Sequence, residues 1–344
     1  MKAMKLTGIN QMKLFDVPIP EIEHDTDVLI KMTHIGVCGS DIHYYSHGRI
    51  GNQIVDYPFT VGHEGAGIIE KAGSKVNRVK PGDRIAIDPA MPCENCDQCL
   101  AGRPHTCRRL KFLGCPGQAE GCLSEYIVMP QNSCFPLSDN TSLIEASLSE
   151  PLSIGYYGMK LSGINAGVNI GILGAGPIGL SVLESAKSSN CGNIYITDRL
   201  EYRLQFAKNK GASWTGNPDK DDVITKINEL QPDLLDVVFE CCGKQEAINE
   251  AISILKPGGK LMIIGIPENS RYSFDVDNMR HKEICIQNVR RQNGVVEQCL
   301  ELINNSTINI NDWVTHHFSL SQTKEAFDMV ANYHDGVIKA MIEI

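Results

Sequence analysis

The stretch NIGILGAGPIGLSVLESAKSS, residues 169–189, constrains the fold more than any other part of the chain. A short apolar run leads into glycines spaced G-x-G-x-x-G, and apolar residues at helical period follow at once. A strand that turns on glycine into a helix is half of a βαβ unit, and such units build parallel sheets. The rhythm then repeats. NIYITD reads as a second strand and EYRLQFAKNKGA as a second helix closed by Gly211; LDVVFECCG, the helix around EAINEAISIL, and GGKLMIIGI continue it. The alternation predicts an α/β domain whose parallel sheet is covered on both faces. Residues 161–183 carry no charge over a length that could span a bilayer. Their glycines, with Pro177, Asn165 and Asn169, instead read as loop, buried strand, tight turn and helix start.

The flanking sequence is of another kind. Over the first 155 residues or so, short β-like runs (DVLIKMTHIGV, GAGIIEKAG, DRIAIDPA, SEYIVMP) are punctuated by Gly and Pro turns, as in a compact all-β domain. After about residue 290 come VVEQCLELINN, a strand-like THHFSL, the helix SQTKEAFDMVANY and a closing VIKAMIEI. A length of 344 residues fits two domains.

The glycine turn suits a dinucleotide. Gly174 permits the tight turn, Gly176 lets the backbone approach a pyrophosphate, and Gly179 allows close helix–strand packing. The helix beginning at Pro177 and Ile178 turns amide hydrogens and its positive dipole end toward the phosphates. Asp198 lies 19 residues beyond Gly179, at the end of the next strand, where an acid binds the adenosine ribose. Its carboxylate would accept from a ribose diol and repel a 2′-phosphate, which favours NAD over NADP. Arg199 beside it works the other way.

CENCDQCLAGRPHTC, residues 93–107, gathers Cys93, Cys96, Cys99 and Cys107 in one short loop. Paired disulfides or unrelated buried thiols fit this spacing poorly, whereas a tetrahedral Zn²⁺ takes four thiolates at about 2.3 Å. Four cysteines leave no open position, so this site reads as structural and a catalytic metal would lie elsewhere. The net charge of −9, with no basic block, argues against a nucleic-acid surface. Thirteen cysteines spread along the chain and an N-terminus, MKAMKLTGINQMKLF, without a secretory apolar stretch predict reduced thiols and a cytoplasmic protein with no membrane partner.

HIGVCGSDIHYY (34–45), TVGHEGAGIIEKAG (60–73), the four-cysteine lobe, Glu-Pro-Leu at 150–152 and the glycine fingerprint together resemble the zinc-dependent medium-chain alcohol and polyol dehydrogenases over essentially the whole chain. The resemblance implies a GroES-like β-rich catalytic domain, residues 1–155 completed by 291–344, and a Rossmann NAD-binding domain, 156–290. It implies one catalytic and one structural zinc, and a homo-oligomer, either tetramer or dimer. Cys38 and His63 match catalytic zinc ligands. Glu150 falls where the sorbitol-dehydrogenase-like branch has a glutamate, though a Glu-Pro on its own reads as a turn. Glu64 is a further candidate ligand. Ser40 and His43 match the family's proton relay, and Asp41 an acid that orients His63.

The stretch CGSDIHYYSHGRIGN is closest to sorbitol (L-iditol 2-) dehydrogenases. There Tyr44 falls on a substrate-pocket tyrosine and Arg290 on an arginine bridging substrate and cofactor. Arg203, Ile264, Gly265, Ile266 and Val289 join the cofactor-binding positions on the same basis. The expected activity is oxidation of a secondary hydroxyl of a polyol to a ketose. Arg291 stands where animal sorbitol dehydrogenases usually have tyrosine, and many of those lack the four-cysteine lobe. A sugar phosphate or sugar acid, held by the fork of donors that arginine offers, therefore stays open as substrate, as does a non-catalytic relative of the same fold.

Overall fold

A computed structural model of the chain describes residues 1–268 and 270–344. By internal contacts the chain separates into two units, Met1–Glu150 with Val296–Ile344, and Pro151–Val295.

The first unit is built on a seven-stranded sheet. Its central strand, Asp27–Gly36, pairs antiparallel with Glu64–Ala72 on one edge. Its other edge is shared end to end by Tyr126–Pro130, opposite residues 27–31, and by the C-terminal strand Lys339–Glu343, opposite 34–36. The closing segment VIKAMIEI is thus an integral strand of the N-terminal sheet. Arg84–Ile87 and Cys134–Pro136 extend the sheet beyond Glu64–Ala72, and Val314–Ser319 lies parallel to Lys339–Glu343. Leu6, Ile30, Met32, Ile35, Val61, Ile69, Ile85 and Phe327 form part of its buried core.

The second unit carries six parallel strands in the spatial order Trp214–Gly216, Ile194–Thr197, Ile170–Leu173, Leu235–Glu240, Leu255–Ile263, Cys285–Asn288. Ile170–Leu173 and Ile194–Thr197 are buried at every position, as expected of strands covered on both faces. The chain runs outward one way from Ile170–Leu173 and then crosses back to Leu235–Glu240. A crevice therefore opens at the C-terminal ends of these two strands.

The Glu150-Pro151 step, which on its own would read as a turn, lies inside the long helix Leu143–Ser162. Proline lacks an N–H and disfavours a helix interior, but Ala146, Leu148, Leu152 and Met159 are buried along this helix. Tertiary packing overrides the local preference. Among the described residues, no helix is long and apolar enough to cross a membrane.

Candidate active site and metal centres

Cys38 caps the helix Gly39–His47 in extended conformation, with Asp41 at the third helical position. Asp41 is almost fully buried, and both its oxygens are engaged. Oδ2 accepts from Cys38 N at 3.1 Å, while Oδ1 accepts from Gly62 N at 3.1 Å and lies 3.4 Å from His63 Nδ1. One carboxylate therefore braces the backbone at Cys38 and just before His63, and holds the His63 ring by one nitrogen. Burial works against a proton on His63, yet Asp41 and Cys38 outweigh it and raise its pKa well above the usual value. An environment that favours positive charge on this imidazole also suits a cation beside it.

The ligand atoms of Cys38, His63 and Glu64 lie within 4.8 Å of one another. Glu64 is nevertheless already partnered. Lys339 Nζ donates to Oε1 at 2.8 Å and to Oε2 at 2.7 Å, and also to Val37 O at 3.1 Å. Sequence reasoning did not single out Lys339. The signal was a lysine beside the apolar run Ala340–Ile342 of the closing strand. Glu150 is not in this three-residue group, but it stands close enough that His63, Glu64, Lys339 and Asp88 all act on it. Burial pushes the Glu150 carboxyl up to about 7, Glu64 and Asp88 adding to the rise and His63 and Lys339 opposing it. The helix carrying Glu150 is tied to the same place by Ser147 Oγ, which donates to Glu64 O at 2.9 Å. A thiol, an imidazole and a buried carboxylate converging here fit a zinc ion with a position left for substrate.

Ser40 and His43 sit three residues apart on the helix Gly39–His47, so they share a face, and both are half-buried. The His43 ring stacks at a tilt 5.8 Å from that of His47, which is exposed. Tyr44 is buried, its hydroxyl donating to Gln53 Oε1 at 3.0 Å; Gln53 Nε2 in turn donates to Cys115 Sγ at 2.8 Å. Gln53 and Cys115 were invisible as partners of Tyr44 in the sequence.

The four-cysteine lobe is folded as a cage. Sulfur–sulfur distances are 3.4 Å for Cys93–Cys107, 3.6 Å for Cys96–Cys99 and 3.9 Å for Cys96–Cys107. Tetrahedral zinc thiolates lie about 3.8 Å apart, from the Zn–S bond length, and all four cysteines are free thiols. The Asn95 backbone N–H and the Arg109 guanidinium lower the Cys93 thiol to about 6, whereas burial and the sulfur of Cys96 raise Cys99. Four thiolates so close repel one another unless a cation sits between them, so the lobe fits zinc.

In the second unit the glycine turn has the geometry its sequence predicts. Gly174 has φ of 106°, open to glycine, and a methyl on Gly179 would collide with the Gly174 carbonyl. Gly176, Pro177 and Ile178 remain partly open. Asp198 Oδ2 accepts from Ala175 N at 2.8 Å and Oδ1 from Leu200 N at 2.9 Å, so this acid braces the turn. Arg203 lies over Gly176, with its guanidinium 3.9 Å from Asp198. Ile264, Gly265 and Ile266 follow the strand Leu255–Ile263 at its C-terminal end, and Val289 N donates to Ile263 O at 2.8 Å. Arg290 is exposed, and Arg291 is half-buried with φ of 54°. These residues form a cradle that fits a dinucleotide.

A thiol–imidazole–carboxylate cluster in a β-rich unit, with a glycine cradle in a parallel-sheet unit, defines a zinc-binding, nicotinamide-dependent oxidoreductase. The chain belongs to the zinc-dependent medium-chain polyol dehydrogenase family. Residues 24–139 match the alcohol dehydrogenase GroES-like domain and residues 177–305 the zinc-binding dehydrogenase family. The chain is 35% identical to a sorbitol dehydrogenase of Bacillus subtilis (strain 168), over 99% of this chain and 97% of that protein. It is 34% identical to a probable D-xylulose reductase A of Aspergillus fumigatus, over 94% and 92%. A putative zinc-binding dehydrogenase of Sinorhizobium meliloti 1021, solved bound to NADP, superposes with a TM-score of 0.91 at 29% identity, covering 100% and 99% of the two chains.

Proposed function

We propose that this chain oxidises a secondary hydroxyl of a polyol of the sorbitol, L-iditol or xylitol type to a ketose, with NAD as acceptor. The observation that carries the reading is the Cys38, His63 and Glu64 cluster braced by Asp41, with Glu150 buried beside it. Cys38 and His63 with Glu64 or Glu150 would hold a catalytic zinc, and Cys93, Cys96, Cys99 and Cys107 a structural one. When bound, the catalytic zinc supplies Lewis acidity toward a hydroxyl and the nicotinamide supplies the acceptor for hydride.

The chain's own residues do the rest. Asp41 fixes the tautomer and orientation of His63. Ser40 takes the proton of the substrate hydroxyl and hands it toward His43 and the exposed end of the helix. Tyr44, its hydroxyl held by Gln53, forms a polar wall suited to a second hydroxyl of the substrate. Asp198 and Arg203 hold the cofactor at its adenosine end.

A second reading, a sugar phosphate or sugar acid as substrate, draws on Arg291. It holds a positive φ that costs a residue with a Cβ, and such strain clusters at functional sites. NADH formation by the zinc-loaded protein on neutral polyols, aldonates and sugar phosphates tests both readings, since each predicts a different active class.

A further inference from the structure

Arg199 directly follows Asp198 at the C-terminal end of the strand Ile194–Thr197. In this fold an arginine near the ribose acid is the group that accommodates a 2′-phosphate. Taken alone, Arg199 would therefore open the site to NADP. It is not alone. Its Nε donates to Asp219 Oδ1 at 3.0 Å and to Oδ2 at 2.7 Å.

The pairing is prearranged by a buried side chain. Asn217, only 4% exposed, directly follows the neighbouring strand Trp214–Gly216 and bonds to both partners. Its Nδ2 donates to Arg199 O at 3.0 Å, and its Oδ1 accepts from Asp219 N at 3.0 Å. The same Nδ2 donates to Glu201 Oε1 at 2.8 Å, and Asn217 N donates to Asp221 Oδ2 at 2.7 Å. One amide thus ties the backbones of Arg199 and Asp219 together and sets the two side chains within reach of each other. The hydrogen bond from Arg199 holds the Asp219 carboxyl below its usual range.

We propose that Asp219 is a cofactor-specificity determinant. It holds the Arg199 guanidinium away from the place of a 2′-phosphate. The proposal rests on the NAD reading above and explains how a chain with arginine at this position keeps that preference. Asp198 repels the phosphate directly; Asp219 acts by occupying its natural partner.

The test is equilibrium binding of NAD⁺ and NADP⁺ to the zinc-loaded protein by titration calorimetry, without turnover. Asp219→Asn keeps the side-chain shape and leaves the bond from Asp219 N to Asn217 intact. The ratio of the NADP⁺ to the NAD⁺ dissociation constant is expected to fall roughly fivefold, the scale of one surface ion pair. The change should shrink at high salt and vanish in the Asp219→Asn/Arg199→Leu double variant. An unchanged ratio in Asp219→Asn, or a fall that survives removal of Arg199, would overturn the proposal. Wild-type protein that binds NADP⁺ as tightly as NAD⁺ would instead overturn the NAD reading, before any variant is made.

Discussion

Lys339 and Glu64 form a buried ion pair that reaches over the C-terminal end of the strand Asp27–Gly36. Glu64 begins one strand beside Asp27–Gly36, and Lys339 begins the strand on its other side. Gly36 stands opposite Glu64 on one side and Met341, two residues from Lys339, on the other, and a methyl there would run into the Glu64 carboxylate. The ion pair is buried on both sides, each side chain 1% exposed. It ties the last strand of the chain to the His63-Glu64 corner of the metal site.

Lys339→Met should therefore leave a buried carboxylate without its counter-charge. The loss should be on the order of 3–5 kcal/mol, the usual cost of breaking a buried pair from one side. The double variant Lys339→Met/Glu64→Gln should recover a large part of it. Chemical denaturation of the first unit's transition checks both, and a Lys339→Met protein as stable as wild type would remove the pair from the account.

Asp41→Ala should weaken metal binding at the Cys38/His63 site by about ten- to a hundredfold, the scale for groups that orient a ligating histidine. Competition against a chromophoric chelator measures it. The four-cysteine lobe, which Asp41 does not touch, should retain its metal. Loss of both metals together would mean that Asp41 acts on the fold and not on His63.

Two zinc ions per chain are expected, one for each cluster. Elemental analysis of fully loaded protein should give two equivalents, and Cys99→Ser should give one together with a lower melting temperature. Mild chelation should abolish activity before the chain unfolds. One equivalent or none at full loading would contradict the two-site reading.

Asp198→Ala should weaken NAD⁺ by about ten- to a hundredfold, as for loss of a charged hydrogen-bond acceptor, and NADP⁺ by less. Because Asp198 also accepts from Ala175 N and Leu200 N, the variant should lose some stability too. A cofactor preference identical to wild type would mean that this carboxylate braces the turn without facing the ribose.

What could be read from the sequence was local. The strand–glycine–helix unit at 170–188 and the four-cysteine loop each lie within a few residues, where spacing alone fixes which groups converge. VIKAMIEI reads as a strand, but nothing in it tells which sheet it joins. Its pairing opposite His34–Gly36 brings together residues about 300 positions apart. Lys339, Gln53 and Asp219 went unread for that reason: each matters only through a partner that chain topology delivers. The helix around Glu150 went unread for a different reason: Pro151 disfavours a helix interior, and that local preference yielded to a buried helix face.

Arg290→Ala and Arg291→Ala separate the two substrate readings. For a neutral polyol, Arg290→Ala should reduce kcat/KM strongly, while Arg291→Ala should leave it largely intact. Steady-state kinetics on sorbitol or xylitol decide between them. A large loss from Arg291→Ala on an anionic substrate alone would favour the sugar phosphate or sugar acid.

The most direct test of the central claim is the rate of NADH formation across a panel of polyols, simple alcohols, aldonates and sugar phosphates. A pocket of buried polar groups rejects analogues that leave those groups unpaired. Sorbitol, xylitol or a related polyol should therefore be oxidised to the 2-ketose with far higher kcat/KM than ethanol or butanol. Neutral polyols that prove inert, while a sugar phosphate or aldonate turns over and Arg291→Ala abolishes that turnover, would contradict it.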